Sequence, residues 1–341
     1  MTAITSVPVS LPVSMRALVL DAPGQPFRDT HLPLPALRPG HVLVRVRASG
    51  VNPLDSKIRQ GQAAHARQPL PAVLGLDMAG EIAALGEGVS GWQVGDPVFA
   101  MSGGVGGLQG SLAEYQLVDA ALLARKPAAL SFREAAALPL VTITAWEGLR
   151  DRARLAAGQR VLVHGGAGGI GHVAIQLARA WGAEVAATGS AEQADVIAAL
   201  GATPIDYRAE RVEDYVQRLT GGAGFDVVLD TLGGATLDAS FTAVRRWGGH
   251  VVSALGWGSH SLAPLSFRGG SYSGIFTLIP LQTGEGRAHH GEILAEAARL
   301  ADCGLLRPRL DTQRFDLGSA LAAHERVELG RADGKVVVDV D

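Results

Sequence analysis

At 341 residues the chain is too long for one ordinary compact core and fits two domains. With 47% hydrophobic and 18% charged residues it is not a disordered polymer, and a formal net charge of −3 argues against nucleic-acid or anionic-membrane partners. The single cysteine, Cys303, excludes an internal disulfide and every multi-cysteine metal site, which suits a cytoplasmic location.

No apolar run reaches the roughly 18 residues needed to cross a bilayer. Residues 1–14, interrupted by prolines, are expected to form a loose leader. From Met15 to about Ala124 short apolar stretches alternate with Pro/Gly turns, which predicts a β-rich domain. Its strands are expected at Arg16–Leu20, Val42–Ala48, Gly80–Leu85 and Pro97–Ala100.

The pattern then changes. Ser131–Leu149 has helical spacing, with Ser131 and Glu134 forming a capping box. Strands are predicted at Arg160–His164, Glu184–Thr188, Thr203–Asp206, Asp226–Asp230 and His250–Leu255. Helices are predicted over Ile170–Trp181 and Gln193–Leu200. The alternation predicts an α/β fold with a doubly wound parallel sheet over residues 131–280. A long helix at Glu285–Cys303, a strand at Arg309–Asp311, a helix at Leu317–Leu329 and a last strand at Lys335–Val340 complete the chain. Residues 281–341 are expected to return to the first domain.

The strongest motif is the turn Gly166-Ala167-Gly168-Gly169-Ile170-Gly171, set between a strand and a helix. In this setting Gly166 allows the tight turn, Gly168 lets backbone approach a pyrophosphate, and Gly171 lets helix pack on strand. The helix N-terminus then offers unpaired N–H groups to phosphate. The alternative is a glycine-rich turn without a ligand. The second strand ends Thr188-Gly189-Ser190, where an NAD site would carry a carboxylate, so NADPH is the expected cofactor.

The stretches Gly50–Asp55, Gly75–Glu81, Gly95–Val98, Gly110–Tyr115 and Pro139–Trp146, together with the glycine turn, fall in a familiar order. The chain resembles the zinc-independent quinone oxidoreductases, the zeta-crystallin-like branch of the medium-chain dehydrogenase/reductase family. The resemblance implies a GroES-like catalytic domain of residues 15–130 and 281–341 and a Rossmann NADP-binding domain between them. It implies NADPH-dependent reduction of quinones or other α,β-unsaturated carbonyls, in a cleft between domains, by a homodimer.

Zinc-using relatives place ligands where Asn52 and Leu76 stand here, and leucine cannot bind a metal. No metal is therefore expected. The resemblance assigns Asn52 to the reacting end, the alternative being a turn asparagine before Pro53. Asp55 either positions substrate or caps a helix, and Lys57 either meets substrate oxygen or is a surface lysine. Thr142 is expected to face the nicotinamide unless its hydroxyl bonds back to its own helix. Ser253, Leu255, Gly256 and Phe276 are candidates for the same pocket. For a 2′-phosphate the resemblance points to Ser190, Tyr207 and Arg331, with Gln193 replacing a lysine.

Two other readings are an enoyl-thioester reductase and a non-catalytic, crystallin-like NADPH-binding protein. The first expects a tyrosine near Gly61–His65, which this chain lacks.

Overall fold

The computed structural model describes residues 11–340, so the expected leader lies largely outside the described residues. Its first strand, Ser14–Leu20, pairs antiparallel with Arg28–Pro33 and with Ala72–Val73. A seven-stranded sheet forms the body of the β-rich part. The long strand His41–Val51 at its centre pairs antiparallel with Asp77–Leu85, Tyr115–Asp119 and Val336–Asp339. Pro97–Met101 and Ala124–Arg125 extend it beyond Asp77–Leu85. The seventh strand, Phe315–Asp316, pairs parallel with Val336–Asp339 at the sheet's edge; the other pairings are antiparallel. This is the GroES-like architecture.

The second sheet has six parallel strands in the order Thr203–Asp206, Glu184–Gly189, Arg160–Val163, Val227–Asp230, His250–Ser253, Ser271–Gly274. Numbered along the chain this is 3-2-1-4-5-6, the doubly wound Rossmann order. Its order reverses beside Arg160–Val163, which is where the glycine turn begins. Such a switch point is the usual ligand crevice of this architecture.

Three differences from the sequence expectation have clear causes. The helix predicted over Ser131–Leu149 is broken into Phe132–Ala136, Pro139–Trp146 and a wider turn at Glu147–Arg152. Pro139 has no N–H to donate and its ring displaces the preceding turn, so it starts a helix here. The strand expected at Arg309–Asp311 reduces to a single bridge between Leu310 and Lys335. The helices Val212–Thr220 and Ala235–Ala243 and the sixth strand, Ser271–Gly274, were not anticipated. That strand is polar, Ser-Tyr-Ser-Gly, because it is an edge with little apolar surface to bury.

The capping box is present as expected. The Ser131 N–H donates to Glu134 Oε2 at 2.8 Å, and the Glu134 N–H donates to Ser131 Oγ at 3.2 Å.

The tail determines the site. Val336 pairs with Val51, and Gly50 on the same strand pairs with Asp77. Three chain segments distant in sequence thus bring Asn52, Asp77 and Lys335 together at one end of the sheet.

Candidate active site between the domains

A cleft of about 800 Å³ runs between the two sheets. One wall carries Val51, Asn52, Pro53, Gly330 and the segment Ala332–Val336; the other carries the glycine turn, Thr188, Gly189, Gln193 and Tyr207. A cleft of this size holds a dinucleotide-class ligand in part.

The turn's geometry refines the expectation. The positive φ of the tight turn belongs to Gly165, at +74°, rather than to Gly166. Gly166 is needed for closeness instead, since a Cβ there would stand 2.6 Å from Ala187 Cβ. At Gly171 a Cβ would lie 2.1 Å from the Gly165 carbonyl oxygen, so helix and strand meet only through glycine. At Gly168 a Cβ would make one tight contact, 3.1 Å from the Gly165 oxygen, far milder than that at Gly171. Gly169 is more open, with nothing closer than 3.6 Å, and Ala167 and Ile170 also line the cleft. The helix Gly169–Ala180 points its N-terminus at this space with Gly168 as a side-chain-free cap. Open room, bare N–H groups and a positive dipole end fit a pyrophosphate.

Thr142 gives a second indication. Its hydroxyl is buried without a hydrogen-bond partner, whereas Thr144 two residues on bonds back to the Leu140 carbonyl at 2.7 Å. The bland alternative for Thr142, a bond to its own helix, is therefore not what forms. Thr142 is fully buried and does not itself line the cleft, whose wall here is Leu140 and Val141, so its orphaned hydroxyl lies one layer behind the cleft surface. His164 is alike: buried at the end of its strand, it faces Thr188 Oγ1 through Nδ1 at 3.2 Å and leaves Nε2 unpartnered. Burial holds its pKa down at about 4, so the ring is neutral. It was not anticipated, and lies one residue before the glycine turn.

At the opposite wall, Asn52 Nδ2 donates to Asp77 Oδ2 at 2.8 Å, while its Oδ1 accepts from the Lys335 ammonium. Lys335 also donates to the Val51 carbonyl at 3.3 Å. Asp77 accepts from the Leu140 N–H at 2.9 Å. Asp55 is buried with both oxygens engaged, by the N–H groups of Asn52 at 2.8 Å and Leu76 at 3.1 Å. Of its two expected roles it fills the capping one, and it does not line the cleft. Burial pushes the Asp55 carboxyl up to about 7 and that of Asp77 up to about 6. Lys335 is pushed down by burial and held up by the two carboxylates.

These donors do not fit a zinc ion. Leu76 offers only hydrocarbon, and an ammonium already sits on the Asn52 oxygen, where it repels a cation. Lys57, on the exposed face of the helix Pro53–Arg59, is away from this cluster. The lysine at the site is Lys335, unmarked in sequence because it reads as the polar start of an apolar strand.

The remaining expected residues divide. Gln193 and Tyr207 line the cleft. The Ser190 N–H is held by Gln193 Oε1 at 3.1 Å, and the Ser190 hydroxyl bonds Glu192, lowering that carboxyl's pKa. Arg331 is exposed between the cleft-lining Gly330 and Ala332. Ser253 does not reach the cleft, because its hydroxyl donates to Asp230 at 2.7 Å. Leu255 and Gly256 also lie outside it; a Cβ on Gly256 would meet the Tyr272 hydroxyl at 2.1 Å. Phe276 packs instead near His65, with ring centroids 6.1 Å apart. Arg208, missed in sequence, stacks over the Tyr207 ring at 5.4 Å.

Comparison with known proteins places this geometry. Residues 38–128 match the alcohol dehydrogenase GroES-like domain, and residues 200–338 match the zinc-binding dehydrogenase domain. The 2-methylene-furan-3-one reductase of Solanum lycopersicum is 35% identical over 98% of this chain and 81% of its own length. The chain belongs to the medium-chain dehydrogenase/reductase family. This medium-chain oxidoreductase is also 35% identical to a chloroplastic NADPH-dependent alkenal/one oxidoreductase of Arabidopsis thaliana, over 91% of this chain and 75% of that one. An alcohol dehydrogenase superfamily protein from Novosphingobium aromaticivorans is 54% identical, with a TM-score of 0.94 over 96% of this chain and all of the other. The family has zinc-independent members, and the Asn52–Leu76 pair is consistent with that group.

Proposed function

We propose that this oxidoreductase reduces the activated C=C bond of quinones or α,β-unsaturated carbonyls with NADPH and without a metal. The observation that carries the reading is the cleft itself. A phosphate-ready glycine turn forms one wall, and a metal-incompetent cluster of Asn52, Asp77 and Lys335 forms the facing one.

NADPH, when bound, supplies a hydride to the β-carbon of the conjugated system. The turn's N–H groups hold its pyrophosphate, the Thr142 hydroxyl meets the nicotinamide end, and Gln193, Tyr207 and Arg208 hold the 2′-phosphate. Asn52 and its partners form the wall at the reacting end. Negative charge that develops on the substrate's oxygen is stabilised by hydrogen-bond donors in a site shielded from water. These residues cannot recruit the Lewis acid that would hold an alkoxide, which favours an activated C=C bond over an alcohol as the reacting group. The names of the tomato and Arabidopsis relatives point the same way.

A homodimer in the cytoplasm completes the reading. Trp247 is 84% exposed and Phe267 85% exposed beside the edge strand Ser271–Gly274, an apolar rim suited to a second copy.

The test is NADPH consumption at 340 nm with small quinones, enones, enals and alcohols, NADH being run in parallel. Turnover of enones or quinones with NADPH, insensitive to a chelator, is the expected result. Turnover confined to alcohols, or a chelator-sensitive rate, overturns it. Tight NADPH binding with no turnover supports the non-catalytic alternative instead.

A further inference from the structure

Lys335 is 4% exposed and Asn52 not at all, so at the wall they share Lys335 is the outer group. Its stem runs past the glycine turn, with Cδ 3.6 Å from where a Cβ on Gly169 would stand. Its ammonium is carried beyond the turn to Val51 and Asn52. Two of the three ammonium protons are taken by the Val51 carbonyl and the Asn52 oxygen, which leaves one donor.

Behind the ammonium, Asn52 cannot turn over. Its Nδ2 is held by Asp77, and Asp77 is held by the Leu140 N–H and paired to Gly50 through the sheet. The chain Asp77–Asn52–Lys335 thus fixes a buried positive charge beside the spot where zinc-using relatives hold their metal.

We propose that Lys335 is the electrophile of this site, donating its remaining N–H to the substrate carbonyl oxygen, with Asn52 as its positioning residue. The inference rests on the proposed enone or quinone reduction. In that reaction the hydride and its electron pair form a C–H bond at the β-carbon. The C=C pair moves to form the C–C double bond of an enolate, and the C=O pair moves onto oxygen, where the Lys335 N–H meets it. For an enone, the α-carbon then takes a proton from water and the C=O bond re-forms. For a quinone, the enolate oxygen takes the proton, and the ring carbon that received hydride then loses a proton to water while the second oxygen gains one, giving the hydroquinone. The ammonium only donates a hydrogen bond, so it needs no recharging between turnovers.

The experiment compares wild type with Lys335→Met, which keeps the stem and removes the charge. The loss expected is that of a strong oxyanion donor, about 10²–10³-fold in kcat, with NADPH affinity, read by fluorescence titration, changed less than about threefold. A direct readout uses 4-nitrophenolate as an oxyanion probe in the presence of NADP⁺, its binding followed by its absorbance shift. Wild type is expected to bind it, and Lys335→Met to bind it at least tenfold more weakly.

If Lys335→Met folds poorly because Asp77 has lost its counter-charge, Lys335→Met with Asp77→Asn restores neutrality and carries the same measurements. Unchanged kcat, or unchanged phenolate binding, overturns the proposal. So does a variant whose only defect is weakened NADPH binding, which reassigns Lys335 to a cofactor phosphate. Should wild type reduce no enone or quinone, the function reading fails, and the phenolate result still decides whether Lys335 is an oxyanion donor.

Discussion

Gly168 and Gly171 stand three residues apart in one turn, yet alanine at each should fail differently. At Gly171 the new Cβ would lie 2.1 Å from the Gly165 oxygen and 2.8 Å from its carbonyl carbon, both rigid backbone. The helix Gly169–Ala180 must lift off the first strand of the sheet. Overpacking of this kind costs about 1–3 kcal/mol or more, several degrees of melting temperature at roughly 2–4 °C per kcal/mol. At Gly168 the only close contact is 3.1 Å, and φ is −76°, a conformation alanine adopts freely. Gly168→Ala should therefore melt within about 2 °C of wild type, while its methyl group occupies the room we assign to pyrophosphate. NADPH affinity should fall at least tenfold, about 1.4 kcal/mol, and Gly168→Asp should abolish binding by adding charge repulsion. Thermal melts and fluorescence titration of the three variants decide the matter. Gly168→Ala with wild-type affinity would refute the phosphate seat, and Gly171→Ala with a wild-type melt would refute the packing argument.

Other expectations follow from the same contacts. Thr142→Val removes an unpaired buried hydroxyl, so the ligand-free protein should gain about 1 kcal/mol of stability in a denaturant melt, while KM for NADPH rises; destabilisation would mean the hydroxyl has a partner. Arg208→Ala should raise KM for NADPH about tenfold and leave NADH unchanged, a charge-assisted bond being worth roughly 1.5–3 kcal/mol; equal effects on both cofactors would exclude a role at the 2′-phosphate. Asn52→Ala should lower kcat less than Lys335→Met does, because it acts through the lysine, and the reverse order would make Asn52 the contact.

A pH prediction concerns His324, buried against Phe27 with Nδ1 unpartnered. Burial lowers its pKa to about 3, so its contribution to stability is present above the unfolded value near 6.5 and is lost as pH falls towards 3. Asp55 and Asp77, raised to about 7 and about 6, act with the opposite sign and lose stability as pH rises. Only a difference between variants isolates the histidine. His324→Leu should reduce the slope of stability with pH between 6 and 4 by up to about 1.4 kcal/mol per unit, and an unchanged slope would show that His324 does not titrate there.

Much of this molecule was legible without coordinates, for local reasons. The glycine turn, its flanking strand and helix, and the Ser131–Glu134 cap are each set by residues within a few positions of one another. The alternation of strands and helices after Pro127 likewise reports burial on both faces of a parallel sheet. The resemblance carried by Asn52 and Leu76 pointed to a site without zinc ligands. What sequence could not supply is long-range pairing. Ser253 looked like a pocket residue until Asp230 was seen to hold its hydroxyl, and Arg208 became a candidate only when its stacking on Tyr207 was known. Lys335 is the clearest case. It lies 283 positions from Asn52, and the antiparallel pairing of Val336 with Val51 is what lays its ammonium on that amide. Short-range sequence decides which turn is shaped to receive a phosphate, because backbone sterics act over a few residues. Which charge faces that turn is decided by the register of the last strand, and register is a property of the assembled sheet.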